Sequence, residues 1–135
     1  MLKIIGGEYR SRRLVEPGTS EISRPYTARV RESLFNLLRG WFDDASVLDL
    51  FAGVGTMGLE AVSRGASHVV MVEQDRRTAK RLQENIDALG CGDRAFAVHA
   101  DALSAVSLAR CRTPVDILIV DPPYPMMKSE GDRSR

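Results

Sequence analysis

Residues 48–58 of the chain are LDLFAGVGTMG. An apolar run is followed by Gly53, Gly55 and Gly58, which have the spacing G-x-G-x-x-G. Glycines at these places let the backbone turn tightly between a strand and a helix, and they let a ligand lie against the main chain. The stretch therefore predicts a strand, a ligand-binding turn and a helix.

Strand and helix patterns alternate around this stretch. Apolar runs that suit buried parallel strands occupy 46–51, 68–73, 95–98 and 116–121. Helices are predicted from the glycine turn to about Arg64, over 75–89 and over 102–110. The alternation predicts an α/β fold: a Rossmann-like, doubly wound parallel sheet with helices on both faces.

The first forty residues are predicted to form a small hairpin-and-helix extension. Two short strands are expected within 2–15, and a helix is expected over 28–39. Arg29 and Arg31 lie off the apolar stripe of that helix. The stripe, expected to face the core, consists of residues at helical spacing: Val30, Leu34, Leu37 and Trp41.

Two carboxylates beside the glycine turn indicate the kind of ligand. Glu73 ends the second strand, twenty residues after Gly53, where an acid can accept both hydroxyls of a ribose. This spacing indicates an adenosine-containing cofactor and is shared with dinucleotide-binding proteins. Asp49 lies four residues before Gly53 and would repel a pyrophosphate. A cationic amino-acid group, such as the methionine part of S-adenosylmethionine, suits that position better.

The tetrad Asp121-Pro122-Pro123-Tyr124 follows the fourth apolar run. It is therefore expected at the carboxyl edge of the sheet, where open α/β sheets bind ligands. The Asp121 carboxylate and the Pro122 carbonyl could accept the two hydrogens of a nucleobase amine and aim its nitrogen. The prolines stiffen the loop, and Tyr124 offers a face for stacking on the base.

Together, these segments resemble a known family. The DPPY tetrad and the D-L-F-A-G-x-G-x-x-G-L-E segment are similar to the amino-methylating class I methyltransferases. More narrowly, the chain resembles the bacterial 16S ribosomal RNA (guanine-N2)-methyltransferases of the RsmD type. The segments at 4–14 and 24–36 resemble the opening blocks of that family.

The resemblance implies a function and a set of site residues. The expected reaction is S-adenosylmethionine-dependent methylation of the N2 amine of a guanine in 16S rRNA of the small ribosomal subunit. The catalytic residues would be Asp121, Pro122, Pro123 and Tyr124. The cofactor would contact Asp49, Phe51, Gly53, Gly55, Glu73 and Asp101. RNA would face a set of arginines: Arg10, Arg12, Arg13, Arg24, Arg29 and Arg31.

Several alternatives stay open at this point. Asp101 could equally be a helix N-cap. The tetrad also suits N6-adenine DNA methyltransferases and protein glutamine methyltransferases. The family continues past the tetrad, whereas this chain ends eleven residues after Tyr124. We therefore expect a sheet that is incomplete at its C-terminal side, self-association through the exposed edge of the fourth strand, or a catalytically impaired remnant.

The composition fits one soluble domain of 135 residues with a net charge of +1. Within it we expect an RNA-facing extension over 1–40, a cofactor-binding core over 41–127 and a disordered tail over 128–135. Residues 1–40 hold eight Lys and Arg against four Asp and Glu, whereas the rest holds eleven against fourteen, so a polyanion would meet the N-terminal part. Cys91 and Cys111 predict buried or half-buried thiols and no metal site. No signal or membrane segment is recognised, so a cytoplasmic location is expected.

Overall fold

A computed structural model describes residues 2–16, 28–104 and 110–121 of the chain. Within these residues, three helices alternate with four strands. The helices are α1 (Ala28–Leu37), α2 (Thr56–Ser63) and α3 (Arg76–Leu89). The strands are β1 (Ser46–Asp49), β2 (His68–Glu73), β3 (Ala95–His99) and β4 (Ile117–Ile119).

The four strands form one parallel sheet in the order β3-β2-β1-β4, which confirms the predicted α/β architecture. In the register, Leu48 of β1 lies beside Val70 of β2 on one side and Leu118 of β4 on the other. Two strands are shorter than predicted. Both end two residues earlier than predicted, at Asp49 and Ile119, and β4 also begins one residue later, at Ile117.

Alternating side chains of the sheet face two apolar layers. Val47, Val69 and Met71 belong to the larger cluster, which also contains buried apolar side chains from all three helices. Leu48 and Val70 belong to a smaller cluster on the opposite face. The helix predicted over 102–110 falls largely on residues 105–109, which lie outside the described part.

Helix α1 packs on a different face from the one that the sequence predicts. Its buried residues are Arg31 and Phe35, whereas Leu37 is 80% exposed and Trp41, just beyond the helix, is 69% exposed. The ring of Phe35 lies 4.9 Å from that of Phe42, and the Arg64 guanidinium lies over it. The bulkier ring and these partners decide which face is buried. Of the predicted stripe, only Leu34 packs against the core, whereas Val30, Leu37 and Trp41 are exposed.

The N-terminal segment 2–16 is a compact turn rather than two strands. Its only β-bridge among the described residues joins Lys3 and Arg13, and backbone bonds connect Ile4 with Arg12. Gly7 has a φ of +81°, and a Cβ there would lie on the Ser63 carbonyl oxygen. The segment therefore packs against the end of α2 at backbone distance, with Ile4 buried in the core.

Candidate functional site

The carboxyl edge of the sheet brings together three of the acids singled out in the sequence. Asp49 ends β1 and pairs in register with Met71 and Ile119. Glu73 ends β2, and Asp121 follows β4 by two residues. Because all four strands are parallel, these carboxylates lie along one edge on either side of the glycine turn.

The glycine turn needs its glycines for steric reasons. Gly53 and Gly55 have φ values of +60° and +98°, and the latter is the N-cap of α2. A Cβ on Gly55 would come within 2.6 Å of a methyl carbon of Leu82. A Cβ on Gly58 would meet the sulfur of Met71 at 2.5 Å, so this third glycine lets α2 lie close against β2.

Glu73 has a structural role that the sequence does not reveal. One carboxylate oxygen accepts the N–H of Gly53 at 2.8 Å, and the other accepts the N–H of Asp75 at 2.9 Å. The carboxylate therefore fixes the glycine turn to the end of β2. Each carboxylate oxygen has a second lone pair, which leaves acceptor capacity for a ligand.

The other predicted cofactor residues occupy different environments. Asp49 is buried, at 1% exposure, whereas Phe51 and Gly53 are half-buried. Asp101 is exposed, and its side chain accepts the N–H of Leu103 at 3.0 Å. The helix that Asp101 would cap falls largely outside the described residues, so both its capping role and its contact with an adenine stay predictions.

Part of the predicted site lies outside the described residues. Pro122, Pro123 and Tyr124 of the tetrad fall there, as does Arg24 of the arginine set. The tetrad's position is therefore given by Asp121 alone, which is half-buried beside the edge of β4.

Four of the predicted RNA-facing arginines are exposed: Arg10, Arg12, Arg13 and Arg29. The Arg12 guanidinium also donates to the Ala88 carbonyl at 2.7 Å, near the C-terminal end of α3.

Arg31 departs from the prediction, because it is only 3% exposed. Its guanidinium donates to the Lys3 carbonyl at 2.8 Å and lies 3.8 Å from Glu60, and burial lowers its pKa. Arg31 is thus an internal tether rather than a surface residue.

Sequence reasoning missed the partner of Arg31, the fully buried carboxylate of Glu60. Its oxygens accept the N–H groups of Ile5 and Gly6, each at 2.9 Å, and the Nε–H of Arg64 at 2.8 Å. A buried charge is tolerated only with such partners. An acid inside the apolar run of α2 was the signal that could have revealed it.

The described residues hold no group of three or more metal-ligating side chains of the His, Cys, Asp or Glu type. None of the helices within them is both long and apolar enough to cross a membrane. Cys91 is buried and Cys111 half-buried, as the sequence predicts.

The parallel order β3-β2-β1-β4, the glycine turn after β1 and the acid at the end of β2 define a Rossmann-like fold of the class I methyltransferase type. The chain belongs to the family described as Conserved hypothetical protein 95, which matches residues 2–131. The resemblance to the RsmD type seen in the sequence is thereby confirmed.

Named relatives agree with this assignment. The chain is 44% identical over 123 residues to ribosomal RNA small subunit methyltransferase D of Escherichia coli K12, covering 91% of this chain and 60% of that protein. The protein of the same name from Haemophilus influenzae is 35% identical over 124 residues, covering 91% and 64%. The solved structure of yhhF from Escherichia coli superposes with a TM-score of 0.66 at 42% identity, covering 75% of this chain and 53% of that one. The chain thus spans about 60% of the length of the first of these relatives.

Proposed function

We propose that this chain is the cofactor-binding part of an S-adenosylmethionine-dependent methyltransferase that acts on the N2 amine of a guanine in 16S rRNA. The observation that carries the proposal is the placement of Asp49, Glu73 and Asp121 at the ends of three neighbouring strands around the glycine turn. The names of the relatives support ribosomal RNA as the substrate. The guanine N2 position rests on the sequence resemblance to the RsmD type.

The residues of the turn fit this cofactor. Leu82 and Leu59 fill the space beside Gly55, so the turn keeps a fixed shape, and glycines in such a turn let a ligand lie against the main chain. Glu73 has acceptor capacity for ribose hydroxyls, and Asp49 supplies negative charge suited to a cationic amino-acid group. S-adenosylmethionine supplies an electrophilic methyl group when it is bound. Phe51 would contact the cofactor beside the turn, and Asp101 would face its adenine amine.

Asp121 would prepare the guanine amine for attack. An exocyclic amine is a poor nucleophile because its lone pair is delocalised into the ring. The Asp121 carboxylate would accept one N–H, the Pro122 carbonyl would accept the other, and Tyr124 would stack on the base. The nitrogen would then accept the methyl group as the bond between that group and sulfur breaks, and its extra proton would pass to the Asp121 carboxylate and from there to water.

The RNA would contact the exposed arginines of the N-terminal part. Arg10, Arg12 and Arg13 lie on one compact turn, and Arg29 lies in the first turn of α1. Arginine pairs well with phosphate because its guanidinium is planar and always charged. Phosphate contacts of this kind position a protein on RNA, and a paired target base would still have to be unstacked. Such a reaction belongs to the cytoplasm, where ribosomal subunits are.

The test is transfer of a labelled methyl group from S-adenosylmethionine to 16S rRNA and to purified small subunits. We expect label in N2-methylguanine after digestion to nucleosides, and none with Asp121→Asn. Label in N6-methyladenine of DNA or in a protein glutamine would contradict the assignment of the substrate. Lack of any transfer would contradict activity of this chain.

The catalytically impaired remnant, the alternative that the sequence left open, stays a prediction. Such a remnant would bind the cofactor without turning it over. Calorimetry with S-adenosylmethionine separates the two functions. Binding without transfer would support the catalytically impaired alternative, and binding with transfer would support the enzyme.

A further inference from the structure

We propose that Asn85 is a positioning residue that holds the cofactor turn and the basic N-terminal segment with a single amide, so that cofactor binding orders that segment. The proposal rests on the cofactor-binding role proposed above for the glycine turn. It adds a residue of α3 that neither the motifs nor the resemblance singled out.

The amide of Asn85 contacts two segments that are far apart in the sequence. Its Nδ2 donates to the Val54 carbonyl at 2.8 Å, between the two glycines of the turn. Its Oδ1 accepts the N–H of Val15 at 2.6 Å, and its Nδ2 also donates to the Val15 carbonyl at 3.3 Å. The side chain therefore pairs with the peptide groups of Val15 as a neighbouring strand would, while also fixing the turn.

Asn85 lies in the interior of the protein, where its hydrogen bonds are hard to replace. The residue is 1% exposed, so a broken bond is poorly replaced by water. Leu82, one turn earlier on the same face of α3, is the residue that a Cβ on Gly55 would strike. Helix α3 thus supports the glycine turn by a packing contact and by a hydrogen bond.

Val15 closes the basic segment on its C-terminal side. Arg10, Arg12 and Arg13 precede it, and all three are exposed. If a bound cofactor stabilises the turn, it also stabilises the position of Asn85 and, through it, of Val15. By thermodynamic reciprocity, ordering of the segment by RNA would then tighten cofactor binding.

The replacement Asn85→Asp tests this coupling at nearly constant volume. The carboxylate has no hydrogens for the Val54 and Val15 carbonyls, so oxygen would face oxygen at both. We expect the dissociation constant of S-adenosylmethionine to rise about tenfold, the ratio that corresponds to one lost buried hydrogen bond. Asn36→Asp makes the same chemical change on the exposed side of α1 and should leave binding unchanged.

The second readout is the rate of tryptic cleavage after Arg10, Arg12 and Arg13, with and without saturating S-adenosylmethionine. We expect the cofactor to slow cleavage severalfold in the unaltered chain and in Asn36→Asp, but not in Asn85→Asp. If the role of Asn85 were purely structural, Asn85→Asp would lower the melting temperature, and S-adenosylmethionine would still slow cleavage by the same factor as in the unaltered chain.

A further variant guards against simple misfolding of Asn85→Asp. Val15→Pro removes the N–H that Asn85 accepts and leaves the bond to Val54 in place. It should retain cofactor affinity within about twofold and lose the protection of the segment. If S-adenosylmethionine slowed cleavage equally in all variants, this inference would be overturned and the proposed function would not be affected. Failure of the unaltered chain to bind S-adenosylmethionine would overturn the proposed function, and this inference with it.

Discussion

Among the individual residues of the glycine turn, Gly55 is the one that a side chain could replace least easily. Its φ of +98° is unfavourable for any side chain, and the space beside it is filled by Leu82 and Leu59. A positive φ and close packing together require glycine at such a position. The spacing of the glycines can therefore be recognised in the sequence.

We expect Gly55→Ala to lower the free energy of unfolding by about 2 kcal/mol, because backbone strain and overpacking add. It should also weaken S-adenosylmethionine binding, since the turn must shift to admit the methyl group. Urea unfolding and calorimetry measure the two effects. The control is Gly92→Ala, where a Cβ meets nothing within 4 Å, and a similar loss in both variants would contradict the explanation.

Arg31 and Glu60 show the limit of residue-level prediction. Nothing near Arg31 in the sequence marks it as buried, because its partner lies 29 positions away on another helix. Residue type and local spacing suggested a surface arginine, whereas the tertiary contact decides its role. The same applies to Asn85, whose partners Val15 and Val54 belong to two different segments.

At the scale of elements, the N-terminus of α3 is fixed by Asp75. Its carboxylate accepts the backbone N–H of Thr78 at 2.9 Å and the hydroxyl of the same residue at 2.8 Å. These two hydrogen bonds lower the pKa of Asp75. The helix supports both the glycine turn and the N-terminal segment, so its start matters for the site.

We expect Asp75→Ala to cost about 1 kcal/mol of unfolding free energy at neutral pH, the usual loss for an N-cap. Because the pKa of Asp75 is lower in the folded chain than in the unfolded chain, its contribution is present above the unfolded pKa. It is lost as the pH falls through the folded pKa. The difference between Asp75→Ala and the unaltered chain should therefore shrink in acid. In Asp75→Asn, which keeps an acceptor oxygen without a titrating group, the cap should persist at low pH.

The elements differ in how far the sequence predicts them. The strands and α3 follow from local signals: unbroken apolar runs, a capping acid and a glycine stop at Gly90. The orientation of α1 does not, because its sequence has two apolar rows, and only contacts with Phe42 and Arg64 select the row with Phe35. The two predicted N-terminal strands reduce to one bridge because the segment is held by side chains of α2 and α3.

At the scale of the whole molecule, the exposed arginines of the N-terminal turn lie on a segment anchored to the cofactor-binding core. Glu60, Ser63 and Asn85 each hold part of this segment. These contacts restrain the proposed RNA-facing surface, and a bound cofactor would restrain it further, which should lower the entropic cost of binding RNA.

We expect the double replacement Arg10→Ala and Arg13→Ala to weaken binding of 16S rRNA and to reduce its salt dependence, because two phosphate contacts are removed. Affinity measured over a range of salt concentrations gives both quantities. Lys80→Ala, an exposed charge on α3, is the matched control and should change neither. An unchanged salt dependence in the double variant would place the RNA on another surface.

In the described part of the chain, β4 lies at one edge of the sheet. Among the described residues, β4 pairs only with β1, and Leu118 is 56% exposed on it. Self-association through that edge stays a prediction, which the dependence of sedimentation on concentration would test.

Trp41 is the only tryptophan in the chain, and it is largely in contact with water in the native state. Its emission should therefore resemble that of an indole in solvent both before and after denaturation. Unfolding is better followed by circular dichroism, while quenching of this one fluorophore reports on what approaches the end of α1.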